Sequence, residues 1–165
     1  MNKRFFLSVL LFMVLSAKVF SIDFWRYNEL ADRDSIFVGG YAATIAFRIS
    51  DPRDYRFFIL MPEFFISYVL PVGLPFSLGF SVRPLDEESF TFAFRPAYHI
   101  NFNIPNLDVY LMFKIETRFT EENITLRYSG SIGARYRFGR FPLIPTLETG
   151  YRFRTLKIGF SLRLN

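Results

Sequence analysis

The chain has 165 residues, is 51% hydrophobic and 20% aromatic, and contains 23 Phe and no Cys. That composition excludes a disordered or collagen-like polymer, and the lack of cysteine excludes a disulfide framework, a thiolate metal site, a catalytic thiol and a lipidated N-terminal cysteine. A formal charge of +5 raises the question of nucleic acid, which the placement of the charges has to answer.

Residues 1–21 hold much of the basic excess. Asn2, Lys3 and Arg4 precede the apolar run Phe5 to Ala17, and Val19, Phe20 and Ser21 stand where a signal peptidase would read them. The run is short against the roughly 20 residues of a bilayer-spanning helix, so a cleaved secretory signal is expected rather than a retained anchor. Its removal takes Lys3, Arg4 and Lys18 and no acid, leaving 144 residues and a formal charge of +2.

Beyond it, apolar and polar residues alternate at a period of two, the signature of strands. Phe37 to Ile49 sets Phe37, Tyr41 and Phe47 among small residues, and Tyr55 to Leu70 is apolar on both faces and interrupted by Pro62. Phe76, Leu78, Phe80 and Val82 then oppose Ser77, Gly79, Ser81 and Arg83. Ser89 to Phe102 keeps phase for fourteen residues, with Phe90, Phe92, Phe94, Pro96, Tyr98 and Ile100 on one face and Arg95, His99 and Asn101 on the other. Leu107 to Phe119 and Ile124 to Phe138 repeat the pattern, as do Leu143 to Phe153, with Pro145 early in it, and Leu156 to Leu164. The connections carry turn chemistry at Asp51-Pro52, Pro71 to Gly73, Pro84 to Glu88, Asn103 to Asn106, Thr120 to Glu122, Gly139 to Pro142 and Arg154-Thr155.

Eight strands follow, each with ample length for the roughly 9 to 11 residues that cross a bilayer. From Phe76 onward every charge lies in a connection or on the small polar face, and the aromatic face carries none. An eight-stranded barrel has an interior only wide enough to be filled by side chains. Ser, Gly, Ala, Thr and a few long charged chains fit that space better than rows of Phe and Tyr, so the aromatic face is expected outside, against lipid. There a midplane Arg or Lys would cost about 2 to 4 kcal/mol, and closure leaves no unpaired backbone edge in hydrocarbon. The fold expected is therefore all-β: an eight-stranded antiparallel up-and-down transmembrane β-barrel with short hairpin connections over residues 35–165, preceded by a periplasmic lead-in at 22–34 that contains the only tryptophan, Trp25.

In this pattern the chain resembles the small outer-membrane β-barrels of two-membraned bacteria, the kind represented by outer membrane proteins X and W and the transmembrane domain of outer membrane protein A. The resemblance implies an integral protein of the bacterial outer membrane, both termini on the periplasmic side, outer-membrane lipid and the barrel-assembly machinery as partners, and no cofactor. One departure is the ending Leu162-Arg163-Leu164-Asn165, where the family usually ends on an aromatic residue.

The candidate functional residues are the charges expected inside: Arg95, His99, Lys114, Glu116, Arg118, Arg135, Glu148 and Arg152. Glu116 and Glu148 are expected to pair with Arg118, Arg135 or Arg152, since an unpaired buried charge is costly. From Phe76 onward the inner face holds three acids (Asp108, Glu116, Glu148) against ten bases, so any solute path would favour anions. Bases spread over enclosed strands make a poor nucleic-acid footprint. Catalysis is not expected. Lipid A deacylases of this architecture carry a serine two residues after the histidine, where this chain has Asn101, and His99 fits a satisfied interior polar group. No glycine loop that could cradle a phosphate is present. The function expected is a structural or narrow, porin-like, anion-leaning barrel of the cell envelope. The alternatives are a lipocalin-like periplasmic carrier with the aromatic face inward around a hydrophobic ligand, and a lipid A-modifying enzyme.

Overall fold

The computed structural model describes residues 22–47, 55–84, 90–150 and 155–164. The leader expected at 1–21, the turn at Asp51-Pro52, most of the turn at Pro84 to Glu88, and Arg152 lie outside the described residues. Nine strands form: β1 (Ile36–Phe47), β2 (Tyr55–Val69), β3 (Phe76–Pro84), β4 (Phe90–Phe94), β5 (Ala97–Ile100), β6 (Leu107–Phe119), β7 (Ile124–Tyr136), β8 (Leu143–Gly150) and β9 (Thr155–Arg163). All pairings are antiparallel. The sheet closes on itself because β1 pairs with β9 as well as β2.

β4 and β5 are two halves of one stave, so the barrel has eight. The sequence pattern ran through this stave unbroken, but the structure interrupts it at Arg95-Pro96. Pro96 has no N–H to give the ladder, which is why a proline breaks a strand with neighbours on both sides. The flanking groups recover part of the ladder: the Arg95 N–H donates to the Gly79 carbonyl at 2.7 Å and the Phe113 N–H to the Pro96 carbonyl at 3.0 Å.

Alternation sorts the side chains as the patterning required. Phe80, Phe90, Phe92, Leu111, Phe113, Leu126, Ile132, Leu147 and Phe160 point outward and are exposed, whereas Ser77, Ala93, His99, Asp108, Lys114, Arg135 and Glu148 point inward and are buried. Stacked pairs such as Phe80 with Phe92, at 5.6 Å between ring centres, knit neighbouring strands on the outer face. The carrier alternative, which needs the aromatic face inside, is overturned by this orientation. In β2, Pro62 hid the alternation from the sequence. Glu63, Phe65, Ser67 and Val69 turn in, while Phe64, Ile66 and Tyr68 turn out.

Two glycines are needed where they stand. A Cβ on Gly133 would strike the ring of Tyr110, its register partner on the neighbouring strand β6. One on Gly159 would strike the backbone of Gly40 and Tyr41, where β1 bulges between Tyr41 and Ala43. Left-handed backbone at Gly73, Asn103, Asn106 and Gly139 marks the turns expected there. The last reversal lies within residues 151–154, outside the described residues, but Leu156 pairs with Thr149, four residues from the Phe153 that a two-residue turn at Arg154-Thr155 would set against it. A register difference of an even number preserves which face each residue takes, so the inner and outer sets are those expected.

Two further features frame the lumen. Ile22 to Ser35 folds across the end that carries the chain termini, making a bridge between Asp23 and Asn101. At the opposite end β6 and β7 close in a hairpin, Phe119 pairing with Ile124 on one side and with Phe90 of β4 on the other.

Candidate functional site

The lumen is filled in layers along its axis. Nearest the termini is an apolar seal of Leu30, Ala31, Phe37, Val69 and Ile144, supplied by the lead-in and by strands β1, β2 and β8. The lead-in is fixed by polar latches: the Tyr27 hydroxyl donates to the Leu70 carbonyl at 2.6 Å, the Asp34 N–H to the Val69 carbonyl at 3.0 Å, and the Asn28 amide to Asp108 Oδ1 at 2.9 Å.

Above the seal lies a hydrogen-bonded row of Ser77, His99 and Asp108, brought together by β3, β5 and β6. His99 Nδ1 is 2.7 Å from Asp108 Oδ1 and Nε2 is 2.9 Å from Ser77 Oγ. A carboxylate accepts only, so Nδ1 carries a proton and donates to Asp108, while Nε2 shares a hydrogen bond with the Ser77 hydroxyl. That is the order of groups in a hydrolytic triad. His99 is 1% and Asp108 0% exposed. Ser77 borders a cavity of about 10 Å³, roughly one water molecule's room. The sequence named His99 as a satisfied interior group but did not place Ser77 beside it.

The third layer centres on Arg95, whose Nη2 lies 2.6 Å from Glu148 Oε2 and 3.0 Å from the Tyr41 hydroxyl. Tyr41 donates to the same carboxylate oxygen at 2.5 Å. The fourth centres on Glu63. Lys114 Nζ approaches its Oε1 at 2.8 Å, Lys157 Nζ its Oε2 at 2.5 Å, Ser81 donates at 2.9 Å, and Arg95 Nη1 stands 3.7 Å away. The last described pair is Arg83 with Glu116 at 2.5 Å, partly open toward the far end.

The structure thus brings Arg95, His99, Lys114, Glu116, Arg135 and Glu148 into one lumen, as the alternation predicted. Their partners are different. Glu116 pairs with Arg83 and Glu148 with Arg95, whereas Arg135 faces Asp108 at 3.6 Å. The reason is level: side chains reach across the lumen to groups at their own height, so the partner on the axis outranks the neighbour in sequence. Arg118 has its Nε buried without a hydrogen bond. Glu63, the most connected carboxylate, was missed. It is the lone charge between Arg56 and Val82, and that isolation within an apolar run was the available signal for an inward-facing acid. Among the described residues no group of three or more His, Cys, Asp or Glu is arranged to hold a metal ion.

No family model matches this sequence, and no curated protein matches it either. Among solved structures it is similar to Ail, the attachment invasion locus protein of Yersinia pestis, at 14% identity and a TM-score of 0.39, over 81% of this chain and all (100%) of that one.

Proposed function

We propose that this chain is an integral outer-membrane β-barrel that works as a closed structural element of the bacterial envelope and does not conduct. One observation carries the reading: the outward side chains of the staves are apolar and exposed, while the charged side chains are turned inward and matched across the lumen. In water an exposed belt of Phe, Leu and Ile of this extent is a liability, whereas in hydrocarbon it is the required surface. The charges stacked from Asp108 to Glu116 interlock where a solute path would run, and the lead-in covers the entrance beside the termini. The ten-to-three excess of bases that suggested an anion path omitted Glu63, which takes two lysines out of that count.

The reading is tested by membrane fractionation and planar-bilayer recording. The chain is expected to need detergent for release and to give a flat baseline. Recovery in the soluble periplasm would remove the membrane reading, and steady unitary steps would restore the pore. A catalytic role for the Ser77–His99–Asp108 row is tested by His99→Ala, which is expected to leave lipid A unchanged; altered acylation would establish an enzyme.

A further inference from the structure

The buried charges of the lumen do not balance. Among the described residues four cations are buried, Arg95, Lys114, Arg135 and Lys157, against three carboxylates, Glu63, Asp108 and Glu148. The partly buried Arg83–Glu116 pair adds one of each. One positive charge is left over where little water can reach it, and such a surplus is expensive unless something neutralises it.

The same region gathers unanswered donors around one space. The cavity beside Ser77 is lined by Arg95, Arg135, Tyr110 and Ser67, with Gly79 and Ala97 supplying a small-residue wall that leaves it open. Arg95 Nη1, Arg135 Nε, Arg135 Nη1, the Tyr110 hydroxyl and Ser67 Oγ are all buried without a hydrogen bond. Neither guanidinium is free to turn away. Arg95 is held 4.8 Å over the Phe65 ring, and Arg135 is held 4.2 Å over Phe37 and 4.7 Å over Tyr110. The nearest carboxylates pair with these donors only as ions: Glu63 is 3.7 Å from Arg95 Nη1, and Asp108 Oδ2, itself buried without a hydrogen bond, is 3.6 Å from Arg135 Nη1.

From this arrangement we infer a binding site for one small monovalent anion, chloride in ordinary salt solution, between Arg95 and Arg135. A water molecule offers two lone pairs to three guanidinium N–H groups and two hydroxyls, and leaves the surplus charge in place. A halide accepts from several donors at once and cancels the charge. The cavity has about 10 Å³ of room for a single water-sized particle, which excludes sulfate or any organic acid. The ion is taken up as the barrel closes and becomes part of the packed lumen, which is compatible with a barrel that conducts nothing.

The test compares the refolded full chain in chloride and in gluconate at matched ionic strength. Gluconate screens surface charge equally but cannot enter. Unfolding in chloride is expected about 2–4 °C higher, the shift of a ligand that binds only the folded state at roughly 1 kcal/mol. Crystals grown in bromide are expected to show an anomalous peak between the two guanidiniums. Arg135→Gln should abolish the salt difference. Because that variant could fail to fold, Ala97→Leu, which fills the cavity and keeps every charge, should abolish it too. Ser81→Ala, on the far side of Glu63, should retain it. Equal unfolding in both salts, or a difference that survives Ala97→Leu, would overturn the assignment.

Discussion

At the end bearing the termini, Ile22 to Ser35 folds over the opening, with Leu30 and Ala31 fully buried and latches running to Leu70, Val69, Asn101 and Asp108. At the other end β6 and β7 close in a hairpin whose outward Ile124 and Tyr128 are 72% and 62% exposed. The first region has no alternation and is shaped by what it covers, whereas the hairpin alternates and leaves its outward side chains exposed. A strand pattern therefore states which way side chains point, and stability depends on what those side chains then meet.

That contrast can be broken most severely at the hub between the two ends. Glu63→Gln leaves Lys114, Lys157 and Arg95 short of a carboxylate, and the loss expected is about 3–5 kcal/mol in urea unfolding from vesicles. An outward substitution should separate the middle of the barrel from the β6–β7 hairpin. Leu111→Arg is expected to cost about 2–4 kcal/mol, and Ile124→Arg close to nothing, as depth in hydrocarbon dictates. Equal costs at both positions would place the two at the same depth and erase the contrast. At the sealed end, Asn28→Ala removes one donor from the buried Asp108, for about 1.5–3 kcal/mol, and should speed amide exchange at Asp34 and Val69. The smallest effect expected is at the open margin. Glu116→Gln, in a pair that is partly hydrated, should cost about 1 kcal/mol or less and fade with salt.

Much of this was legible from the chain itself. The fourteen-residue phase of Ser89 to Phe102 and the charge-free aromatic face give the eight staves and their orientation, because a period of two leaves each residue only two directions. The break at Pro96 was visible as a residue type but not as an event, since the alternation runs straight through it. Pairing inside the lumen was not legible. Arg95 reaches Glu148 at a chain separation of 53 residues, and Lys157 reaches Glu63 at 94. Such partners are chosen by height on a common axis, which only the register of all eight staves defines. The lead-in is the other limit, because Tyr27 to Ser35 has no period and takes its shape from the rim it covers.

The seat of that N-terminal segment has a consequence for assembly order. Its anchor points belong to parts of the chain translated much later: Val69, Asn101, Asp108, Ile144, and Arg163, which donates to the Glu29 carbonyl at 3.0 Å. The first residues of this region to be made thus have nowhere to settle until the last stave has arrived. Their docking therefore waits on closure of the barrel, since the contacts that hold them come from β2, β6, β8 and β9 together.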